Sequence, residues 1–396
     1  MRDAVLIDAL RVPTGRRKGA LAGHHPVDLF AHVLGGLVER TGIDPERVDD
    51  VIGGCVSQVG EQSVNVARNA WLAAGMPESV PATTIDRQCG SSQQAAHFAA
   101  QGVLAGAYDL AIAGGVESMT RVPMMSNVAG ANPYGEGMTA RYGGGLVHQG
   151  ISAEIVAQQW GVTREEADAY ALASHQRAGA AIDGGAFEAE TLSVKVAAAD
   201  GSVTELTSDE GVRRDTSLEA LAGLDPAFYE ERVAAAHPGL PWIVTAGNAS
   251  QISDGAAAVL VAERAVAERL GLIPRWRFHS FALAGVDPVT MLSGPIPATQ
   301  KILERSGLDL GDIDHVEVNE AFASVVLAWQ RELGADPERV NPRGGAIALG
   351  HPLGASGARL LTTLCHGLEQ SGGRYGLQVM CEGGGMANAT IIERLG

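Results

Sequence analysis

A stretch of this chain occurs twice. Gly42-Ile43-Asp44-Pro45-Glu46-Arg47-Val48-Asp49-Asp50-Val51 lines up with Gly307-Leu308-Asp309-Leu310-Gly311-Asp312-Ile313-Asp314-His315-Val316 at a constant offset of 265 residues. In both copies a helical pattern ends at glycine, a short loop follows and a strand pattern begins. Further on, each copy sets a reactive residue among glycines, then a helix, then a strand ending in glycines. The first copy reads Cys89-Gly90, then Ala113-Gly114-Gly115; the second reads Gly350-His351, then Cys381-Glu382-Gly383-Gly384-Gly385. Two matches in the same order favour duplication. Two similar halves with equivalent loops facing each other would place one site between them.

Short apolar runs, Ala4 to Ile7, Val51 to Ile52, Leu110 to Ala113, Ala257 to Val261, His315 to Val318 and Leu377 to Met380, read as buried strands. Helical stretches such as Pro26 to Thr41, Ser91 to Leu104 and Ala321 to Leu333 lie between several of them. This alternation predicts an α/β fold with substantially parallel sheets. The stretch 119–248 fits neither copy. It opens rich in Gly, Met and Asn and later carries the capping box Thr163-Arg164-Glu165-Glu166. An insertion of this size supplies a lid or a ligand-binding surface. The expected division is 1–118 with 249–272 as one half, 119–248 as an inserted loop domain, and 273–396 as the other half.

Composition narrows the function. The 396 residues suffice for a large core, and 46% hydrophobic with 19% charged residues describes a globular chain. Lys and Arg number 29 against 46 Asp and Glu, a net charge of −17, which argues against nucleic acid as a partner but not against a small anion held by local cations. No apolar run is long enough for a membrane span, and the first residues read as a strand, not a signal peptide. The four cysteines Cys55, Cys89, Cys365 and Cys381 form no CxxC pair, so no disulfide framework or zinc knuckle is expected and a reducing cytoplasm is the natural compartment. Glycine is in excess, 51 residues, about 13% against a usual level of about 7%.

Four residues stand where α/β folds present ligands, at strand ends and helix starts. Cys89, in Gln88-Cys89-Gly90-Ser91-Ser92, reads either as a small buried residue or as a thiol whose anion the helix N-terminus favours. His351 lies among five glycines just before a helix that Pro352 would open; it is either a hydrogen-bonded turn residue or a base. Cys381 ends a strand ahead of three glycines whose N–H groups could form an oxyanion hole; otherwise it is a core cysteine. Asn319, in Val318-Asn319-Glu320-Ala321-Phe322, reads as a helix N-cap, a site residue, or both. Cys55 reads as core and Cys365 as helix packing.

At these residues the chain resembles the thiolase family, the acyl-CoA:acetyl-CoA C-acyltransferases. The resemblance rests on Cys89-Gly90-Ser91, Gly114-Gly115-Val116-Glu117-Ser118-Met119, Asn319-Glu320-Ala321-Phe322, the run from Gly344 to Gly357, and Cys381-Glu382-Gly383-Gly384-Gly385. These blocks come in family order and span the whole chain. The resemblance implies two α/β halves in a layered αβαβα arrangement with an inserted loop domain. It implies ping-pong acyl transfer in which Cys89 takes the acyl group as a thioester, His351 activates it, and Cys381 handles protons at the acetyl Cα and at the thiol of coenzyme A. The N–H groups of Cys89 and Gly383 would hold one thioester oxygen; His351 and a water on Asn319 would hold the enolate oxygen. Ser250, in Thr245-Ala246-Gly247-Asn248-Ala249-Ser250, with Arg213 and His148, matches family contacts to coenzyme A, which is a substrate rather than a permanent cofactor. No metal is implied, and a homodimer or homotetramer is.

The sequence departs from the family's common pattern at Gln149, Asp86, Ser92, Glu382 and Gly385-Met386-Ala387. None of these removes a reacting group. The polar changes favour a degradative 3-ketoacyl-CoA thiolase that accepts longer, branched or steroid-derived chains. The competing readings are a biosynthetic acetyl-CoA acetyltransferase, a non-catalytic lipid- or CoA-binding protein, and a cysteine hydrolase.

Overall fold

The structure, a computed structural model, describes residues 2–143, 146–197 and 201–396. Gly144 and Gly145, which belong to a Gly143–Gly145 run, lie outside the described residues. The strands are β1 (Ala4–Arg11), β2 (Gly15–Arg16), β3 (Asp50–Gly54), β4 (Ala82–Ile85), β5 (Leu110–Ser118), β6 (Val194–Ala197), β7 (Val203–Leu206), β8 (Ser253–Glu263), β9 (Trp276–Gly285), β10 (His315–Val318), β11 (Tyr375–Glu382) and β12 (Met386–Arg394).

The strand order β4-β3-β5-β8-β1 continues into β9-β12-β11-β10. The seam between β1 and β9 is only two residue pairs long, Val5 with Arg277 and Leu6 with Trp276. On either side of it the topology repeats. The pairs β3–β5 and β10–β11 are parallel. The pairs β5–β8 and β11–β12, then β8–β1 and β12–β9, are antiparallel. The second half has only a single parallel bridge, Val316 to Val340, in the position of β4. The repeat seen in the sequence accounts for this match. Gly42 and Gly307 each close a helix in the left-handed conformation, at φ 65° and 70°. Equivalent short helical turns, Pro45–Arg47 and Leu310–Asp312, then lead into β3 and β10.

The expectation of substantially parallel sheets is corrected. Among the described residues, parallel pairing between strands is confined to β3–β4, β3–β5 and β10–β11, beside a few isolated parallel bridges. The reason is local: β11 and β12 are joined by Gly383–Gly385, too short for a crossover, so the chain must turn back on itself. Gly384 and Gly385 at φ 81° and 79° make that turn. In the first half the equivalent return, from β5 to β8, takes the long stretch 119–252.

Side-chain alternation assigns the layers. Val5, Val51, Ile112 and Leu260 face the helices Pro26–Thr41 and Val66–Ala73 in one core. Their neighbours Leu6, Ile52, Ala111 and Val261 face a second core shared with Trp276, Phe278 and Ile392 of the other half. Helices Ser91–Ala105 and Leu353–Ser371 fill that second core. Ala95, Ala96, Ala99 and Ala100 keep the first of these thin enough to lie between two sheets. The helix Leu353–Ser371 is buried on every side from Leu353 to Leu368, as an interior helix must be. Beyond the second sheet, Val316, Val318, Leu377 and Val379 pack on helices Pro295–Ser306 and Ala323–Leu333. The result is the expected αβαβα layering.

The inserted helices Gln149–Trp160 and Arg164–Asp183 pack on the second half around Phe322, Val325 and Ala328. The capping box predicted at Thr163 and Glu166 opens the longer of the two. Buried Arg11 ties the insertion to β1 through Glu190 at 2.6 Å and Asp209 at 2.7 Å. Cys55 and Cys365 are fully buried packing residues, as read from the sequence.

Candidate active site

Two thiols meet where the halves face each other. Cys89 lies between β4 and the helix Ser91–Ala105, in a tight turn that holds Gln88 at φ 49°. Val56, Met119, Leu353, Leu360 and Met380 surround it. The Gln149 side chain and the backbone N–H groups of Cys89 and Gly383 are aimed at its sulfur. Helix dipole and burial oppose each other at this position, and burial wins. Removal from water, reinforced by the charge of Glu382, pushes the Cys89 thiol up to about 12. The resting group is therefore a thiol, not the thiolate that the helix N-terminus alone suggested. Cys381, at the end of β11, is likewise pushed up by burial and then by the neighbouring Cys89 and Glu382.

Asn319 links the thiols to the histidine. It follows β10, its N–H bonded to the Val379 carbonyl at 3.0 Å. Its amide nitrogen donates toward Cys381 and lies 3.4 Å from His351 Nε2. Its buried Oδ1 has no hydrogen-bond partner among the described residues. The N-cap expectation fails: the helix begins at Ala323 with Phe322 as its cap. The Asn319 side chain is turned to His351 and Cys381 instead.

His351 sits one residue before the N-cap Pro352 of the central helix. Its N–H donates to Ser253 Oγ at 3.1 Å. Gly350 must be glycine, because at φ 98° a Cβ would lie 2.5 Å from that same oxygen. His351 Nδ1 is 2.6 Å from Ser356 Oγ, whose only proton goes to the Pro352 carbonyl at 2.8 Å. Ser356 can then only accept, so Nδ1 carries the ring proton and Nε2 presents its lone pair to the Asn319 amide. Burial, helped by Arg359, lowers His351 to about 3, so the ring is neutral. Sequence reasoning missed Ser356; its signal was a hydroxyl one helical turn after Pro352 in a segment with no other side-chain oxygen.

The proposed coenzyme A contacts lie apart from this cluster. Ser250 is half-buried, its N–H bonded to the Ala321 carbonyl at 2.9 Å just beyond Asn319. Arg213 is exposed at a pocket lined also by His175, Gly247 and Gln251, with its N–H on His175 Nδ1 at 3.1 Å. His148 caps the helix Gln149–Trp160, accepting from the Gly150 N–H, and packs on Phe228 at 4.9 Å. Its neighbour Gln149 is the residue that reaches Cys89.

Known proteins agree with this architecture. The thiolase N-terminal domain matches residues 4–265 and the thiolase C-terminal domain matches residues 272–394. The chain belongs to the thiolase family. It is an enzyme of the acetyl-CoA C-acyltransferase class. It is 52% identical over 404 residues to the steroid 3-ketoacyl-CoA thiolase FadA6 of Mycobacterium tuberculosis, covering 100% of this chain and 95% of that one. It is 44% identical over 411 residues to a beta-ketoadipyl-CoA thiolase of Escherichia coli, with both chains covered fully. The crystal structure of the Bacillus anthracis acetyl-CoA acetyltransferase superposes with a TM-score of 0.89 at 38% identity, over 100% of this chain and 99% of that one. Among the described residues of this thiolase no helix is long and apolar enough to cross a membrane.

Proposed function

We propose that the enzyme cleaves a 3-ketoacyl-CoA with coenzyme A to give acetyl-CoA or propionyl-CoA and a shortened acyl-CoA, in fatty-acid or steroid side-chain degradation. One observation carries this reading: two buried thiols lie beside each other, and one amide, that of Asn319, bridges from Cys381 to Nε2 of a neutral imidazole. In the first step Cys89 loses its proton toward His351 and attacks the keto carbon. The Cα–Cβ bond breaks, the thioester enolate leaves, and Cys381 protonates its Cα. In the second step Cys381 takes the proton of the incoming CoA thiol, whose sulfur attacks the Cys89 thioester; the Cys89–acyl bond breaks, the shortened acyl-CoA is freed, and Cys89 recovers its proton from His351. The N–H groups of Cys89 and Gly383 already converge beside the Cys89 sulfur and would hold the acyl oxygen. His351 and a water on Asn319 would hold the enolate oxygen.

Ser250, Arg213 and His148 are assigned to coenzyme A: Arg213 and His148 on an insertion spanning 119–248 that interrupts the half 1–118 with 249–272, and Ser250 just after it, with 273–396 as the other half. A cytoplasmic homodimer or homotetramer completes the proposal. The name of the 52% identical relative and the polar departures at Gln149 and Glu382 support bulky or branched acyl chains. Incubation with a panel of 3-ketoacyl-CoAs, with and without free CoA, tests the reading. Shortened acyl-CoA formed only when CoA is present is expected. Turnover without CoA would instead make the enzyme a hydrolase, and no turnover across the panel would make it a binding protein.

A further inference from the structure

Glu382 is a buried carboxyl that the steps above do not use. It is completely enclosed, and among the described residues neither carboxyl oxygen has a hydrogen-bond partner. Its position follows from β11: Cys381 faces the cavity, so Glu382, the next residue, points toward the central helix layer. There it lies against the turn that carries Cys89. A Cβ on Gly90 would fall 1.9 Å from Glu382 Oε1, so the carboxyl rests directly on that backbone. The amides at this turn give it no relief, because Gly90 N–H is taken by the Arg87 carbonyl and Ser91 N–H by the Gln88 carbonyl. The charged and titratable groups facing it are Arg87 and Asp86 from the end of β4, Cys89 from the turn, and Cys381 from its own strand. Desolvation raises the carboxyl to about 8 against the pull of Arg87, which favours its anion, with Asp86 adding to the rise.

We propose that Glu382 is a positioning residue that sets when the two thiols ionise: as the neutral acid it permits a thiolate at Cys89 or Cys381, and as the carboxylate it holds both thiols protonated. A carboxylate enclosed beside Cys89 and Cys381 costs each thiolate its stabilisation, so the three groups titrate as a coupled set. This rests on the reading of Cys89 as the acylated residue and adds to it an upper pH limit that belongs to neither thiol nor to His351. An apolar residue at this position would leave that limit to the thiols alone.

The test follows alkylation of Cys89 and Cys381 by iodoacetamide, read by peptide mapping from neutral to alkaline pH. In wild-type enzyme the logarithm of the Cys89 rate should rise with pH and then flatten well before the thiol is fully ionised. In Glu382→Gln the flattening should vanish, with Cys89 alkylated about tenfold faster at alkaline pH, the effect of one pKa unit. The alkaline limb of acyl transfer should move upward with it. A wild-type curve of unit slope up to saturation overturns the proposal even if the variant does not fold, as does a folded variant with an unchanged profile. Intact mass after exposure to an acyl-CoA, in wild type and Cys89→Ser, tests the parent reading separately. An adduct that persists in Cys89→Ser sinks that reading. A Cys89 adduct combined with indifference to Glu382 sinks this inference alone.

Discussion

At the scale of residues, the site is built from neutral groups that become charged only during reaction. Burial raises both thiols and lowers the imidazole, so neither partner of the proposed Cys89–His351 proton transfer is ionised at rest. What prepares the pair is tautomer and direction rather than charge. Ser356 holds the ring proton on Nδ1 because its own proton is committed to Pro352. Ser356→Ala should lower kcat by about tenfold with KM little changed, since a lost buried hydrogen bond is worth about 1.4 kcal/mol. Nitrogen NMR of the ring should show the Nε2–H tautomer gaining population. A ring that keeps its proton on Nδ1 in the variant would refute the role. Cys89, Cys381, His351 and Asn319 were legible in the sequence as reactive types at strand ends. Ser356 was not, because its meaning lies in the fate of one hydroxyl proton. The neutral state of Cys89 was also not legible, because desolvation is a property of the packed site and the helix dipole pointed the other way.

At the scale of elements, close approach matters more than helix propensity. Gly354 lets the central helix touch the end of β3: a Cβ there would lie 2.6 Å from Cys55 Cα and 2.9 Å from the Gly54 carbonyl oxygen. Its N–H also donates to Glu117 at 2.9 Å. Gly354→Ala should cost about 1–3 kcal/mol, because backbone atoms cannot yield as a side-chain tip can. Gly35, inside the helix Pro26–Thr41, would meet nothing within 4 Å. Gly35→Ala should be neutral or raise stability by about 0.5–1 kcal/mol. Thermal melts of the two variants provide the comparison, and equal shifts would contradict the packing argument. Element identity was readable where apolar runs were continuous, as in β1, β5, β8 and β11. The strands β9 and β12 escaped notice. In β9, Arg277, His279 and Ser280 interrupt the apolar pattern, and only its place between β1 and β12 makes it a strand.

At the scale of the whole molecule, buried imidazoles set the acid limit of stability. Burial lowers His97 and His351 to about 3 and His175 to about 4, with Arg87, Arg359 and Arg213 adding to each in turn. Below the ordinary histidine value of 6.5 the unfolded chain gains protons that the folded chain refuses, so stability is lost as pH falls. Glu382 acts in the opposite sense. Between its ordinary value of 4.5 and about 8 the folded chain keeps a proton that the unfolded chain has released, so stability falls as pH rises. His97, on the helix Ser91–Ala105, is fully buried against Phe281 and Thr390, 2.6 Å from the threonine hydroxyl, and takes no part in the proposed chemistry. In His97→Gln the acid fall of the unfolding free energy should be shallower by up to about 1.4 kcal/mol per pH unit, one proton's worth. Denaturant titrations at several acidic pH values measure that slope, and an unchanged slope would contradict the assignment.

The chain's own order of residues was enough to reveal the duplication, the insertion and the reactive types, because repeats, caps and glycine turns are short-range and leave their pattern in consecutive residues. Strand direction, the meeting of Cys89 with Cys381, and the enclosure of Glu382 were decided only by tertiary structure. Each depends on what lies across a sheet or between layers, where desolvation and contact act between residues far apart in the chain.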